Sequence, residues 1–112
     1  MVSSCSTPYQ SYGVAVGGYT ETQISETVWK VSAAGNAVTS SLKLNDYALL
    51  RASELTINKG YKYFVVVNKQ RNGSWNTNEL FFEMTNEKKD GALAFTYNAE
   101  MLYQSLSLQY MK

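Results

Sequence analysis

The sequence contains no histidine and a single cysteine among its 112 residues. Ser–His and Cys–His nucleophile systems need an imidazole base, so these catalytic arrangements are excluded. Zinc sites use Cys or His ligands at paired spacing, which one cysteine cannot supply, and an internal disulfide cannot form either. An active site would have to rest on carboxylates or lysines. We therefore expect no metal and no cofactor.

Long apolar runs and a dominant charge are also missing. No stretch approaches the ~20 apolar residues of a membrane-spanning helix. Ten basic and nine acidic residues give a net charge of +1, and the basic residues are scattered. A nucleic-acid partner needs them gathered on one surface, so none is expected. The length fits one domain, which is large enough to form a core without a metal or a disulfide.

The central feature of the sequence is a long helix. Residues 42–59 contain no Gly or Pro and are rich in Leu and Ala, which favour helix. Ser40 or Ser41 can cap its start, and Gly60 can close its last turn. Its polar stripe is narrow and consists of Lys43, Tyr47, Arg51, Glu54 and Asn58. Its apolar arc consists of Leu44, Ala48, Leu49, Ala52 and Leu55, extended by Leu42, Leu50 and Ile57. Because this arc is wider than the ~100° that packing on a sheet requires, we predict a sheet below and a second helix alongside.

Aromatic and β-branched runs predict the strands. Residues 24–33 alternate between two faces, and residues 61–67 are aromatic and β-branched without alternation, as in a central strand covered on both faces. Residues 80–85 and 92–97 also alternate, and the last three strands are interpreted as an antiparallel meander. Residues 13–18 (GVAVGG) are either a short strand with a glycine bulge or a loop.

The chain ends in a second predicted helix over residues 99–110, capped by Asn98. The order ββαβββα indicates an α+β two-layer sandwich with a four- to five-stranded, mostly antiparallel sheet and two helices on one face. Met101 and Leu108 point away from the packed face of this helix. They are either scattered surface residues, which we favour, or a partner contact.

The N-terminal residues differ in character from the rest of the chain. Residues 1–12 are Ser-rich, contain Pro8 and show no period, so they predict a flexible tether before a single domain over residues 13–112. Val2-Ser3-Ser4-Cys5 places an aliphatic and two small residues before the cysteine, as bacterial lipoprotein processing requires. A lone thiol in such a tail is reactive unless it is modified. The pattern favours lipid attachment at Cys5 over an incidental cysteine.

A series of short motifs occurs in a recognisable order. The motifs are Cys5 with TPYQ, Gly17-Gly18-Tyr19, Gly35-Asn36, DYALLRASEL over residues 46–55, and Gly60-Tyr61. With them the chain resembles a family of small bacterial envelope lipoproteins of uncharacterised function, from Cys5 to about Val67. The resemblance implies that the protein is exported and anchored to a membrane through a lipidated N-terminal cysteine, so that it faces the periplasm. It implies no known activity.

Two classes of function are compatible with the sequence. We favour a non-enzymatic module of the cell envelope that binds a protein or glycan partner. The alternatives are a small carboxylate-dependent envelope hydrolase, which needs two carboxylates facing each other across a cleft, and a cytosolic domain of unknown function. The candidate partner-binding residues are loop aromatics, which suit sugar stacking or protein contact, although closing one end of the core is the favoured interpretation. These aromatics are Tyr9, Tyr12, Tyr19 and Trp75.

Two pairs of polar residues on the long helix have two interpretations each. Arg51 and Glu54 form either a ligand clamp or a surface i,i+3 ion pair, and the ion pair is favoured because both lie on the polar stripe. Asp46 and Ser53 lie near the middle of the extended apolar arc. They either face a pocket or form structural hydrogen bonds, and the hydrogen bonds are favoured.

Overall fold

The computed structural model describes residues 18–35, 39–73, 76–88 and 95–110. Its elements in chain order are β1 (Gly18–Gln23), β2 (Val28–Ala34), α1 (Ser41–Asn58), β3 (Tyr63–Asn72), β4 (Thr77–Thr85), β5 (Phe95–Asn98) and α2 (Ala99–Tyr110). The predicted α+β class and the order ββαβββα are confirmed. Within this part of the chain, no helix combines the length and the apolar character needed to span a membrane.

The five strands form one sheet in the order β1-β2-β4-β3-β5, and every neighbouring pair is antiparallel. The predicted meander of the last three strands is wrong, because β5 pairs with β3 and not with β4. The reason is that β4 already has β2 on one side and β3 on the other. The last strand can therefore join only at the outer edge of β3.

The first two strands begin later than predicted. Residues 13–17 lie outside the described residues, and β1 continues to Gln23, where the sequence suggested a loop. Residues 20–23 of this edge strand are exposed, so they lack the apolar alternation that marks a strand. A turn then separates β1 from β2, in which the amides of Ile24 and Ser25 both donate to the carbonyl of Val28 at 2.8 and 3.0 Å.

The strand β3 is longer and less covered than predicted. It continues to Asn72, through residues whose polar character indicated a loop. Phe64 and Val65 are buried, but Val67 is 56% exposed and every later residue of the strand is exposed. Coverage on both faces therefore holds only at the start of β3. A register shift between Val66 and Asn68 marks the change.

The two ends of α1 are closed as the sequence indicates. Of the two candidate caps, Ser40 is the one used, since its Oγ accepts a hydrogen bond from the amide of Lys43 at 3.1 Å. At the other end Gly60 has φ +86°. Its amide donates to the carbonyl of Ile57, and the amide of Tyr61 donates to that of Thr56. This pair of hydrogen bonds is a Schellman motif, which needs a left-handed residue at the glycine position.

The core lies between α1, the sheet and α2. The buried residues of α1 are Leu44, Tyr47, Ala48, Leu49, Leu50, Ala52, Ser53, Leu55 and Thr56. The helix contacts β2 and β4 on one side and α2 on another, so the predicted pair of neighbours is confirmed. Three assignments on the helix are wrong. Tyr47 is buried because α2 packs on it. Leu42 is 72% exposed and Ile57 is 39% exposed, because they lie in the first and the last turn, at the ends of the packed region.

The buried hydroxyls of α1 have partners, whereas the buried indole nitrogen of Trp29, which packs against the core, has none among the described residues. The hydroxyls of Ser53 and Thr56 donate to the carbonyls of Leu49 and Ala52, four residues earlier, at 2.9 and 2.8 Å. Such back-bonding lets a hydroxyl lie in an apolar interface without an unsatisfied donor. Ser53 therefore has the structural role favoured from the sequence.

The sheet contributes an aromatic centre to the core. Phe64 meets Phe82 edge-on with ring centroids 5.4 Å apart, and it stacks on Tyr97 at 5.2 Å. Such pairs stabilise a core beyond the area that they bury. Val31 and Ala33 complete the helix-facing side of β2 and are fully buried, as their alternation predicts.

We predict that Leu55→Ala lowers the free energy of unfolding by about 2–5 kcal/mol, because it leaves a cavity between α1 and its neighbours. Leu42→Ala is the matched control, since it makes the same chemical change on the same helix at an exposed position. It should change stability by about 0.5 kcal/mol or less. Urea unfolding measures both values, and equal midpoints for the two variants would contradict the packing of α1.

Candidate binding surfaces

The end of α2 is fixed to the first half of α1. The hydroxyl of Tyr110 donates to Oδ2 of Asp46 at 2.6 Å, and its ring meets that of Tyr47 edge-on at 5.2 Å. At the start of α2 the amide of Ala99 donates to the carbonyl of Lys62, so α2 runs back along α1. Burial raises the pKa of Tyr47 to about 12. Burial, and then the hydrogen bond to Asp46, raises the pKa of Tyr110. Asp46 thus accepts a structural hydrogen bond, which is the interpretation favoured from the sequence.

Arg51 joins α1 to the edge strand β1. Its Nε and Nη2 bind the two carboxylate oxygens of Glu21 at 2.5 and 2.9 Å, and its Nη1 lies 3.4 Å from Oε1 of Glu54. The Tyr19 ring lies 5.0 Å from the guanidinium carbon. The hydrogen bond to Glu21 is the main cause that raises the pKa of Arg51, which stays cationic. The i,i+3 pair with Glu54 is confirmed, but Glu21 is thirty residues away in sequence and spacing could not reveal it.

Only one of the predicted partner-binding aromatics can be placed. Tyr19 lies on the helix-facing side of β1, where its ring packs against the core as well as beneath Arg51. This position matches the alternative considered for these aromatics, in which they close one end of the core. The other three aromatics, Tyr9, Tyr12 and Trp75, lie outside the described residues. The predicted lipid site, Cys5, lies outside them too.

Side-chain amides fix the tip of the β3–β4 hairpin to the start of α1. Nδ2 of Asn76 donates to the carbonyl of Thr39, and Nδ2 of Asn78 donates to that of Ser41, both at 2.9 Å. Arg71 donates to the amide oxygens of both asparagines at 2.8 and 2.7 Å. Asn76 has φ +46°, a conformation that asparagine tolerates better than most residues. This network was missed in the sequence, because a polar segment near Asn-Gly indicates only a turn.

An open groove of about 430 Å³ lies between this hairpin and the first turn of α1. We call it the hairpin groove. Its lining residues are Ser41, Leu42, Asn45, Lys69, Gln70, Arg71, Asn78 and Glu79. Two cations, several amides and one exposed leucine give it hydrogen-bonding, electrostatic and apolar contacts at one place. No single one of these residues stands out in the sequence, because three separate elements contribute them.

The opposite side of the sheet from the helices carries a mixed surface. In β4 the buried residues alternate with half-buried ones, so Phe81 and its alternates face away from α1 and α2. Lys30 lies opposite Phe81 in the register, with Nζ 6.0 Å from the ring centroid and 3.8 Å from Oε2 of Glu79. We call this surface the outer face and define it by its half-buried residues Val28, Lys30, Tyr63, Glu79, Phe81 and Glu83. No helix of the described residues covers it.

Several of the described carboxylates contact other side chains within the fold. Glu21 and Glu54 contact Arg51, Asp46 accepts from Tyr110, and Glu79 lies near Lys30. Within residues 18–35, 39–73, 76–88 and 95–110, no three potential metal ligands come together.

We predict that the contact between Arg51 and Glu21 contributes a coupling energy of about 1 kcal/mol, because it is bidentate and partly buried. A double-mutant cycle with Arg51→Met and Glu21→Gln measures this coupling from urea unfolding. The pair Lys30 and Glu79 is the control, since it makes one contact at 3.8 Å, and its coupling should be below about 0.5 kcal/mol. Equal coupling in the two cycles would contradict the role assigned to Arg51.

We predict that stability falls in alkaline solution. The pKa values of Tyr47 and Tyr110 lie above the ordinary value of 10.0, so the folded state favours the neutral phenols. This contribution is complete below pH 10 and is lost as the pH rises through the folded values, about 12 for Tyr47. Chemical unfolding between pH 8 and 12 should show the loss.

The double substitution Tyr47→Phe and Tyr110→Phe should reduce the alkaline loss, because it removes both titrating groups. Part of the loss should remain, since burial also raises the pKa of Tyr97. An unchanged pH dependence in the double variant would show that the contact between α1 and α2 does not control alkaline stability.

Compared with known proteins, the chain matches no family model, no curated protein and no solved structure. The resemblance to envelope lipoproteins therefore stays a prediction from the sequence motifs, and function is argued below from the surfaces of the fold.

Proposed function

We propose that this chain is a non-enzymatic module of a bacterial cell envelope, held at a membrane by acyl chains on Cys5, which binds a protein or glycan partner. The observation that supports it best is the contrast between the two faces of the sheet. One face is buried under α1 and α2. The outer face combines half-buried Phe81, Tyr63 and Val28 with charged neighbours, and no described helix covers it.

The composition of the outer face suits recognition. Interfaces of transient complexes are mixtures of apolar and polar area in which aromatic residues are enriched. Phe81 lies in the middle strand β4, with Lys30 beside it on β2, and a sheet holds both at fixed spacing. An aromatic ring on a rigid platform can stack on a sugar or fill a pocket of a protein. Tyr9, Tyr12 and Trp75 remain candidates for further contacts.

The anchor accounts for how the module stays at a membrane. Each buried CH₂ of an acyl chain contributes about 0.8 kcal/mol, and one chain alone gives only marginal binding. A lipoprotein cysteine carries a diacylglyceride and an N-acyl chain, which together give a lasting anchor. The aliphatic and small residues before Cys5 support this assignment, as does the absence of any other cysteine in the chain.

We predict that the native protein sediments with envelope membranes and that its N-terminal peptide carries the mass of a lipidated Cys5. The full reading frame is expressed in its host, the cells are fractionated, and the N-terminal mass is measured. Cys5→Ala should release the protein into the soluble fraction. An unmodified Cys5, or a Cys5→Ala protein that still sediments, would refute the anchor.

We also predict that the outer face contacts the partner. A photo-crosslinking residue placed at Phe81 should yield a discrete adduct in intact cells, because the partner lies on that face. The same residue at Ile57, which is 39% exposed on α1, is the control. Digestion of the adduct with a protease or a glycan hydrolase assigns the class of partner. Equal adducts at both positions would contradict a specific outer-face contact.

A further inference from the structure

One end of the domain is where the described chain begins. In the sheet register Gly18 lies opposite Ala34, Ala34 opposite Thr77, and Thr77 opposite Asn72. These four residues form the row next to the tip of the β3–β4 hairpin. The polypeptide that leads back to Cys5 therefore leaves from this end. Twelve residues lie between Cys5 and Gly18, and even fully extended the thirteen steps from one to the other span at most about 45 Å.

The same end carries exposed leucines together with basic side chains, of which Lys69 and Arg71 are exposed and Lys43 is half-buried. Leu42 is 72% exposed in the first turn of α1, beside the hairpin groove, and Leu108 is 74% exposed near the end of α2. The contact of Tyr110 with Asp46 and Tyr47 places the end of α2 level with the first turns of α1. The basic residues here are Lys43, Lys69 and Arg71. We call this set, Leu42, Lys43, Lys69, Arg71 and Leu108, the tether end.

The charge at the tether end favours an anionic surface. Its three cations outnumber the two acidic neighbours, which are Asp46, a carboxylate that accepts from the neutral hydroxyl of Tyr110, and Glu79, whose charge is offset by Lys30 at 3.8 Å. At the other end of α1, the described charges balance. They are Lys59, Lys62 and Lys88 against Glu26, Glu87 and Glu100. Exposed leucines flanked by lysine and arginine are the combination that binds the headgroup region of anionic lipid.

We propose that the tether end docks on the surface of an anionic phospholipid membrane and so fixes the orientation of the domain, an inference that rests on the proposed function. The basic side chains contact lipid phosphates, and Leu42 and Leu108 enter the headgroup region. The tether supplies a high local concentration of lipid, so contacts too weak to hold the free domain suffice in the anchored one. The strands of the sheet then run outward from the membrane surface, and the outer face stays open to a partner.

The single cysteine allows a direct test. Cys5 is coupled to a maleimide lipid in nanodiscs that contain phosphatidylcholine with or without phosphatidylglycerol and a headgroup Gd³⁺ chelate. Methyl signals of labelled Leu and Ile residues report distance from the lipid surface, because relaxation by Gd³⁺ falls steeply with distance. Ile24 and Ile57 are exposed near the opposite end and serve as internal controls. The two ends of α1 are about 27 Å apart, so the signals distinguish them.

On anionic discs we expect loss of the Leu42 and Leu108 signals, while Ile24 and Ile57 keep theirs. High salt should restore the lost signals, because it screens the contacts with phosphate. Equal broadening at both ends, or stronger broadening at Ile24 and Ile57, would overturn the proposal. Broadening of the Leu42 and Leu108 signals only when one disc carries two copies would also overturn the proposal, because the tether end would then contact another copy of the protein.

Matched charge reversals complete the test. Lys43→Glu with Lys69→Glu should abolish the difference between the two ends, whereas Lys62→Glu with Lys88→Glu, an identical change of charge at the far end, should preserve it. Glutamate at position 43 lies three residues after Ser40, the spacing of a capping box, so α1 should remain formed. Arg71 is left intact because it holds the hairpin tip. A preserved difference in the first variant would overturn the proposal.

The chemical anchor separates this inference from the proposed function. The nanodisc result does not depend on lipidation in the cell. An undocked domain in nanodiscs therefore overturns the docking alone, and an unmodified Cys5 in the host overturns the anchor alone.

Discussion

The burial of α1 on more than one side is the constraint on which the rest of the structure depends. Nine of its eighteen residues are buried, which is more than packing on a sheet accounts for. The chain must therefore supply a second cover, and α2 does so at the end of the chain. Tyr110 completes the cover, because its ring fills the space beside Tyr47 and its hydroxyl satisfies Asp46.

The position of β4 determines the remaining topology. Both of its edges are taken, by β2 and by β3, so it lies at the centre of the sheet and its alternation is the cleanest in the chain. The last strand joins β3 instead, over the short stretch from Tyr63 to Val66. Beyond that stretch β3 and its hairpin extend past the helices, where amides of Asn76 and Asn78 tie them to α1. The hairpin groove exists because of this extension.

Some charged groups form contacts between elements of the fold, and others lie on its surfaces. Arg51 connects α1 to β1, because both of its carboxylate partners lie within the fold and its pKa is raised. Lys69 and Leu42 are different, since they are exposed at the end of the fold where the described chain begins. The described residues thus present two separate surfaces, the outer face and the tether end.

The sequence by itself determined the class of the fold, the element order, both ends of α1 and the helix-facing residues of β4. These features depend on local chemistry, such as the cap of Ser40, the left-handed Gly60 and the alternation of Leu80, Phe82 and Met84. It also excluded histidine-based chemistry. It did not determine the extent of β1 and the end of β3, because exposed strand residues carry no apolar period.

Only the tertiary structure decided which strands are neighbours, where Tyr47 and Leu42 lie, and that Glu21 holds Arg51. Each of these depends on contacts between residues far apart in the chain, and local patterns contain no information about such distances. The same holds for the surfaces. The hairpin groove and the tether end draw on separate elements, and only packing around α1 brings those elements to one end of the molecule.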